Sequence, residues 1–589
     1  MTQSAQNFSR TPEGHLSLQT SHYSILVPSD RPYAQLRDKN GTLWTELFLA
    51  FSAHTLTGQD RTARIEQEVL GNSLILKLQG GIWQEKRLTF TFLEDSIEIT
   101  PQITGEGNLT DLHYLGGYYS GHLRWGSGFF QSGYRFGRVF NPEPHGQERR
   151  TIPAGESTTI DVMGTSIPGK AHWFFTPAPY YYAFTQDQNA PALNLGADQG
   201  GTPLEVQESG KSDLWMTAGL KVQDGEHNFT GFHYHGTEGA YSLSLSYEGY
   251  TRISGTVTLP TLRLSFTTEP YRGLEEYVRS LGRQSRPQQS DWWFTPIQCG
   301  WGAQCYTAQT RGTRAPEECT EENYNGYLKV LTANKIEPGI LVLDDKWSST
   351  YGTCEVDRKK WPNLEQWIEE AHNRGQKVLL WWKAWDPEGL PLDACVLNDL
   401  GEPIAADPTS PVYEEILRNA VQKMLLDYGA DGFKVDFSAR TPSGPGLKVH
   451  GNKWGVELLH QLLWILRDEA KKVKADALVM THTPNPYFHD VTDMIRLNDV
   501  NTGQPVIEQM QHRFRVAQAA LPHHVIDTDN WPMPSKQAWR EYVALQPDLG
   551  VPSLYFVTNV DGTKEPLLEE DYALIRRAWK KHAEKRTLL

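Results

Sequence analysis

Two carboxylates in the second half of the chain lie in contexts that suit acid and nucleophilic chemistry. Asp436 follows Lys434 by two positions in the segment GFKVDF. Residues two apart on a β-strand project to the same side, and a neighbouring lysine favours the ionised form of a carboxylic acid. Asp499 could face Asp436 across a cavity, where the first charge would raise the pKa of the second acid. One ionised and one protonated carboxyl group is the pair that retaining glycoside hydrolysis requires.

Each of these two assignments has an alternative. Asp436 could form an ion pair with Lys434 that only satisfies two buried charges. Asp499 could cap a helix or a loop, because Asp is common at such turns. Asp527 and Asp529, which follow the next strand pattern, are competing candidates for the acid. The residues favour Asp436 as the nucleophile and Asp499 as the general acid and base.

Other charged and aromatic residues follow the same strand patterns. Carboxylates bind sugar hydroxyls and flat aromatic faces cover the C–H face of a sugar ring, so this combination favours a sugar-binding cleft. The residues predicted to bind the substrate are Asp344, Asp345, Trp347, Trp382, Lys434, His482, Arg496, Asp529 and Trp531. Among them, Lys434 and Arg496 are expected to position or stabilise anionic oxygen, and Trp347, Trp382 and Trp531 are expected to form walls.

The elements that must position these residues change in kind near residue 285. Before that point, short runs of alternating polarity such as RTARIEQEVL and KRLTFTFLEDSIEIT are separated by turn signals. This pattern predicts antiparallel strands, and we expect residues 1–285 to form a β-sandwich domain. The polar stretch SRPQQSD at 285–291 predicts a linker.

Beyond the linker, strand patterns and helix patterns alternate. The eight candidate strands are FTPIQCGW, GILVLDDKW, KVLLWWKAW, GFKVDF, ALVMTHT, DMIRLND, HHVIDTD and PSLYFVT. Eight such strand–helix units predict a catalytic (β/α)8 barrel over 290–589. In this fold the carboxyl ends of the strands form the active site, and that is where the residues above occur. A doubly wound open sheet is the alternative, but the chain has no glycine-rich phosphate loop.

Composition limits the partners. The formal net charge is −15 without a clustered basic segment, which argues against nucleic acid. No apolar stretch approaches the length of a membrane span, and the start lacks the pattern of a secretory leader. Five cysteines, all in the second half, fit neither a disulfide framework nor a paired zinc site. We therefore expect a cytoplasmic protein that uses no metal or cofactor, binds a glycoside or oligosaccharide, and has an oligomeric state that the sequence leaves open.

Three segments carry a resemblance to known enzymes. The runs ILVLDDKWSSTYG, WPNLEQWIEEAHNRGQKVLLWW and GADGFKVDFSAR resemble the retaining α-glycosidases of glycoside hydrolase families 36, 31 and 27. The similarity spans most of residues 290–560. It implies a sandwich before the barrel, as in families 31 and 36, and a double-displacement mechanism.

The resemblance also implies residue roles. In these families the Lys-x-Asp motif carries the nucleophile, which falls on Asp436, and an Asp after the sixth strand is the acid and base, which falls on Asp499. The Asp-Asp-x-Trp element of the α-galactosidases maps onto residues 344–347, although Lys346 stands where those enzymes often have Gly. FKVDF is closer to the α-glucosidase and α-xylosidase group. We expect hydrolysis of a terminal α-linked hexose, with α-galactosides slightly ahead of α-glucosides and α-xylosides.

Other functions use the same residues differently. Transglycosylation would intercept the glycosyl-enzyme with a sugar hydroxyl, and a Schiff-base lyase would use Lys434. A non-catalytic sugar-binding protein would need no carboxylate pair. Metal-dependent hydrolysis would draw on His482, His489, His523 and His524, which do not form a tight ligand spacing such as HExxH.

Overall fold

The computed structural model of the protein describes residues 7–122, 126–143, 150–162, 176–187, 189, 212–283 and 288–587. Residues 285–287 of the predicted linker lie outside the described residues. The described chain forms antiparallel strands before the linker, and parallel strands that alternate with helices after it. None of the described helices combines the length and apolar character needed to cross a bilayer.

The described N-terminal part contains antiparallel strands, most of them short, and one helix. In chain order the strands are Ser9–Arg10, Leu16–Gln19, Tyr23–Val27, Tyr33–Asp38, Leu43–Phe48, Ser52–Thr55, Arg64–Leu70, Ser73–Gln79, Glu85–Phe92, Ser96–Tyr114, Gly116–His122, Gly126–Tyr134, Phe136–Phe140, Thr151–Pro153, Thr158–Asp161, Tyr181–Gln186, Trp215–Lys221, Gly231–Thr237, Ala240–Thr258 and Thr261–Thr267. The helix is Pro270–Ser280, and Glu269 caps it by accepting a hydrogen bond from the backbone of Arg272.

Two long strands organise this part of the molecule. Ser96–Tyr114 runs antiparallel to Ala240–Thr258, with Tyr114 opposite Leu243. In the first half of Ser96–Tyr114, buried and partly buried residues alternate, as expected for a strand with one face on a core. The same strand also pairs with Glu85–Phe92 along its first half. The predicted β-sandwich is confirmed.

All eight predicted barrel strands are confirmed. They are Ile297–Cys299, Ile340–Leu343, Lys377–Lys383, Gly432–Asp436, Leu478–Thr481, Met494–Arg496, Val525–Asp527 and Ser553–Leu554. Neighbours in this order pair in parallel from the first strand to the seventh. The first strand also pairs with the eighth, and a parallel bridge between Asp527 and Val551 brings the eighth beside the seventh. The sheet therefore closes into a barrel.

Helices surround the barrel. They are Trp301–Arg311, Glu321–Ala333, Leu364–Asn373, Pro411–Gln422, Gly455–Val473, Val506–Ala520, Lys536–Leu549 and Glu569–Thr587. Three of them begin at a Thr or Ser whose hydroxyl accepts a backbone N–H of the first turn: Thr320, Ser410 and Ser535. A two-stranded hairpin, Cys395–Leu397 with Pro403–Ala406, is inserted after the third barrel strand.

The sandwich packs directly on the barrel. Tyr250 of the sandwich stacks on Trp454, with ring centroids 3.6 Å apart. At the next residue, Gly455 begins a barrel helix with φ +56°, and a Cβ atom there would lie 2.0 Å from the carbonyl oxygen of Phe229. The backbone N–H of Val456 donates to that same oxygen at 2.9 Å. Only glycine allows the two domains to approach this closely.

This contact predicts that Gly455→Ala will weaken the interface. The added methyl group meets a backbone oxygen, and the left-handed conformation is itself unfavourable for alanine, so the free energy of unfolding should fall by about 2 kcal/mol or more. Gly326 is the control, because nothing lies within 4 Å of its Cβ position and it lies inside a helix. Gly326→Ala should raise stability by about 0.5–1 kcal/mol. Equal denaturant midpoints for the two variants would contradict the prediction.

Candidate active site

A cavity of about 370 Å³ opens at the carboxyl ends of the barrel strands. Its wall contains Asp344, Asp345, Lys434, Asp436, Asp499 and Trp531, all of which the sequence singles out, together with Trp301, Trp381, Phe437, Val500, Pro532 and Tyr555. A larger cavity of about 580 Å³ lies on the sandwich, but no barrel residue lines it. The chemistry predicted from the sequence therefore belongs to the smaller cavity.

A buried ion pair lies in the wall of the cavity. Lys434 Nζ is 2.7 Å from Asp344 Oδ2, and both side chains are 3% exposed. The thiol of Cys299 contacts both partners, at 3.3 Å from Nζ and 2.9 Å from Oδ2. Burial acts to lower the pKa of Lys434, but Asp344, Cys299 and Asp436 together outweigh burial and raise it. A lysine held protonated cannot form an imine, so this geometry does not support the lyase alternative.

One guanidinium joins the two candidate catalytic acids. Arg496 is buried, and its Nη2 lies 3.1 Å from Asp436 Oδ1. Its Nη1 lies 3.2 Å from Asp499 Oδ1 and 2.9 Å from Asp529 Oδ2. Asp436 and Asp499 therefore share one cation and one cavity. The partner of Lys434 is Asp344, so the alternative that Asp436 only pairs with Lys434 is wrong.

The two acids differ in protonation. Burial acts to raise the pKa of Asp436, but the charges of Arg496 and Lys434 outweigh burial and lower it to about 2. Burial raises the pKa of Asp499 to about 7, and the negative charges of Asp529 and Asp436 add to this against the pull of Arg496. Between these values Asp436 is charged while Asp499 carries a proton.

Hydrogen bonds favour the ionised form of Asp436. The backbone N–H of Phe437 donates to Oδ1 at 2.9 Å, and the indole N–H of Trp381 donates to Oδ2 at 3.2 Å. Asp345, on the second strand's loop, accepts a hydrogen bond of 2.7 Å from the hydroxyl of Tyr351. Burial raises the pKa of Asp345 to about 6. The cavity thus contains one acid with a lowered pKa, Asp436, and two acids with raised pKa values, Asp345 and Asp499.

The aromatic wall differs from the expectation in two places. Trp381 lines the cavity and Trp382 does not. Trp381 pairs in register with Lys434, whose side chain points inward, and successive side chains on a strand point to opposite faces, so Trp382 points outward. Trp347 is also buried behind the wall, where its indole N–H donates to the carbonyl of Trp381 at 2.8 Å. Trp531 is a wall residue, as expected.

Three further predicted substrate-binding residues do not line the cavity. His482 and Asp529 are fully buried and Arg496 is 1% exposed, so they support cavity residues from behind. Asp529 accepts from the hydroxyl of Tyr555 at 3.2 Å in addition to its contact with Arg496. Asp527 also lies outside the wall, where it contacts the side chain of Ser553. Neither competing candidate for the acid therefore faces the cavity.

The four histidines of the metal hypothesis belong to no group with metal-ligand geometry among the described residues. Among the described residues, the group with a geometry suited to a metal is His54, Asp111 and His113, in the sandwich. His54 accepts the backbone N–H of Asp60 on Nδ1 at 2.9 Å, which leaves the ring proton on Nε2, the nitrogen that faces Asp111. A nitrogen that carries a proton is not a metal ligand.

Comparison with known proteins gives structural relatives only. No family model and no curated protein sequence matches the chain. An α-galactosidase from Thermus thermophilus in complex with stachyose superimposes with a TM-score of 0.51 at 14% identity, covering 87% of this chain and 99% of that one. A family 31 sulfoquinovosidase from E. rectale, in complex with an aza-sugar inhibitor, gives 0.56 at 11% identity, with coverages of 98% and 82%. A family 36 α-galactosidase from Geobacillus stearothermophilus, in complex with stachyose, gives 0.52 at 13% identity, with coverages of 91% and 76%.

These relatives identify the fold. A sandwich followed by a closed parallel barrel, matched over most of both chains, is the fold of the glycoside hydrolases of families 36 and 31. This confirms the structural part of the resemblance seen in the sequence.

Proposed function

We propose that this protein is a retaining α-glycosidase that removes a terminal α-linked hexose, with α-galactosides ahead of α-glucosides and α-xylosides. The observation that carries this proposal is the pair Asp436 and Asp499, which contact one guanidinium and have pKa values shifted in opposite directions. The α-galactosidases among the structural relatives support the order of substrates.

The pair performs a double displacement. Asp436 attacks the anomeric carbon while Asp499 gives its proton to the departing oxygen, and a covalent glycosyl-enzyme forms. Asp499, now a carboxylate, takes a proton from water as the water attacks the same carbon and releases Asp436. Two inversions give net retention. Transglycosylation differs only in the acceptor, which is a sugar hydroxyl in place of water.

The remaining cavity residues offer groups that suit a sugar. Asp344 and Asp345 line the cavity and offer carboxylate oxygens to hydroxyl groups. Trp301 and Trp531, whose rings meet edge to face at 5.8 Å, provide apolar faces. A panel of nitrophenyl α- and β-glycosides, with NMR of the first-formed anomer, tests the proposal. Turnover of β-glycosides alone, or inversion, would end it.

Asp436→Asn should abolish turnover and leave the fold intact, because an amide does not attack the anomeric carbon. We expect kcat on the best nitrophenyl α-glycoside to fall by about 10⁴-fold or more. The control is Asp468→Asn, which removes a carboxylate on the outer side of the barrel, and it should keep the wild-type rate. Near-wild-type activity of Asp436→Asn would show that the nucleophile is another residue.

Asp499→Ala should impair substrates according to their leaving group. Poor leaving groups need a proton, so their rates should fall by about 10²–10⁴-fold, while activated aryl glycosides should lose far less in glycosylation. Azide should partly restore activity because it can attack the glycosyl-enzyme without a general base. Equal loss on both substrate types, without azide rescue, would show that Asp499 is not the acid.

The dependence of kcat/KM on pH should follow the same two groups. Activity requires ionised Asp436 and protonated Asp499, so it should fall as the pH rises through about 7, and again as the pH falls toward 2. With an activated substrate, kcat/KM of Asp499→Ala should no longer fall as the pH rises through about 7. Persistence of that fall in the variant would mean that Asp499 does not titrate there.

A further inference from the structure

The residues beside both reacting acids have an unusual backbone. Phe437, directly after Asp436, has φ +61°, and Asn498, directly before Asp499, has φ +68°. The left-handed region costs most residues other than glycine about 1–3 kcal/mol, whereas asparagine adopts it more readily. The surroundings must therefore hold the loop at Phe437.

A single imidazole connects the two loops. His482 follows the fifth barrel strand, between the strands that carry Asp436 and Asp499, and its side chain is fully buried. Its Nδ1 lies 2.8 Å from Asn498 Nδ2, and its Nε2 lies 2.8 Å from Ser438 Oγ. The ring thus reaches from the loop after the nucleophile to the loop before the acid.

The donor and the acceptor in each of the two contacts of His482 follow from the chemistry of Asn498. An amide nitrogen only donates, so Asn498 donates to Nδ1, and the ring proton lies on Nε2, facing the hydroxyl of Ser438. Nε2 is 4.0 Å from Asp436 Oδ1, which is too long for a hydrogen bond. His482 therefore acts on the two acids through Asn498 and Ser438.

The two loops do not depend equally on this contact. Asp436 is the last residue of its strand and is fixed by the sheet, whereas Asp499 lies three residues beyond the end of Met494–Arg496. Arg513, on an outer helix, donates to the carbonyls of Asn498 and Asp499 at 3.0 and 2.7 Å. It attaches this loop to that helix. His482 attaches the same loop to the one after the nucleophile.

We propose that His482 is a positioning residue that sets the place of Asp499 relative to Asp436 by holding Asn498. This inference rests on the proposed function of the two acids. Retaining chemistry depends on a fixed separation of the two carboxyl groups, and a shift of 1 Å can cost about 10²-fold in rate. Without the ring, the side chain of Asn498 loses its acceptor, and Asp499 is held by its contacts with Arg496 and Arg513, so its carboxyl group shifts relative to Asp436.

Kinetics of three variants test this role. His482→Ala should lower kcat by about 10²-fold on substrates with poor leaving groups and much less on activated ones. KM should change little. The pH near 7 at which kcat/KM falls should shift. His482→Gln, whose amide offers one acceptor and one donor, should recover most of the loss. His524→Ala, at another buried barrel histidine whose ring contacts the carbonyl of His489, should keep the wild-type ratio of the two rates.

A spectroscopic measurement tests the same contact without turnover. The ¹⁵N NMR spectrum of the full-length protein should show His482 protonated on Nε2, and Asn498→Ala should alter its Nδ1 signal. Protonation on Nδ1 would overturn the proposal, as would equal loss of rate on both leaving groups or no rescue by glutamine. A wild-type protein inactive on every α-glycoside would instead overturn the proposed function, and the NMR result would then still report on the contact.

Discussion

The buried guanidinium of Arg496 is the interaction on which the site depends. It contacts three carboxylates, those of Asp436, Asp499 and Asp529, and its one positive charge cannot balance three negative charges. Burying an unbalanced charge is costly, so one acid is driven toward its neutral form. Asp499 is that acid, and burial is the main reason. Asp499 therefore carries the proton that it gives to the departing oxygen because it is buried near other carboxylates.

The barrel explains why these charges meet. Parallel strands place Lys434 beside Trp381, and Asp436 beside Lys383, so their side chains share the inner face at the carboxyl end. The pair of Lys434 with Asp344 spans the barrel interior and neutralises a second carboxylate. The barrel brings charges from the loops after the second, fourth and sixth strands to one cavity. The fold thus determines which charges act on each acid.

The sequence predicts the periodic and chemical parts of this arrangement. Alternating strands, the eight barrel strands and the acids Asp436 and Asp499 follow from local patterns, and all are present at the expected places. The sequence does not show whether Trp381 or Trp382 faces the cavity, because KVLLWWK is buried on both faces and has no alternation of apolar and polar residues. Tyr555 and Trp301 were missed because an isolated aromatic after a strand carries no distinguishing pattern. The burial of Asp529 and His482 depends on contacts far apart in sequence, which no local pattern encodes.

The sandwich contributes to the geometry of the acid through neighbouring residues on one helix. On Val506–Ala520, Arg513 holds the backbone around Asp499, and the adjacent His512 binds the sandwich through Tyr271 at 2.7 Å and the carbonyl of Pro142 at 3.1 Å. Burial lowers the pKa of His512 to about 3, so the ring stays neutral and can accept from the tyrosine while it donates to the carbonyl. The helix that supports the acid loop is thus itself fixed by the other domain. Because Asp499 lies beyond the end of its strand, its position is set by this packing and by His482, and the sandwich is part of the scaffold of the active site.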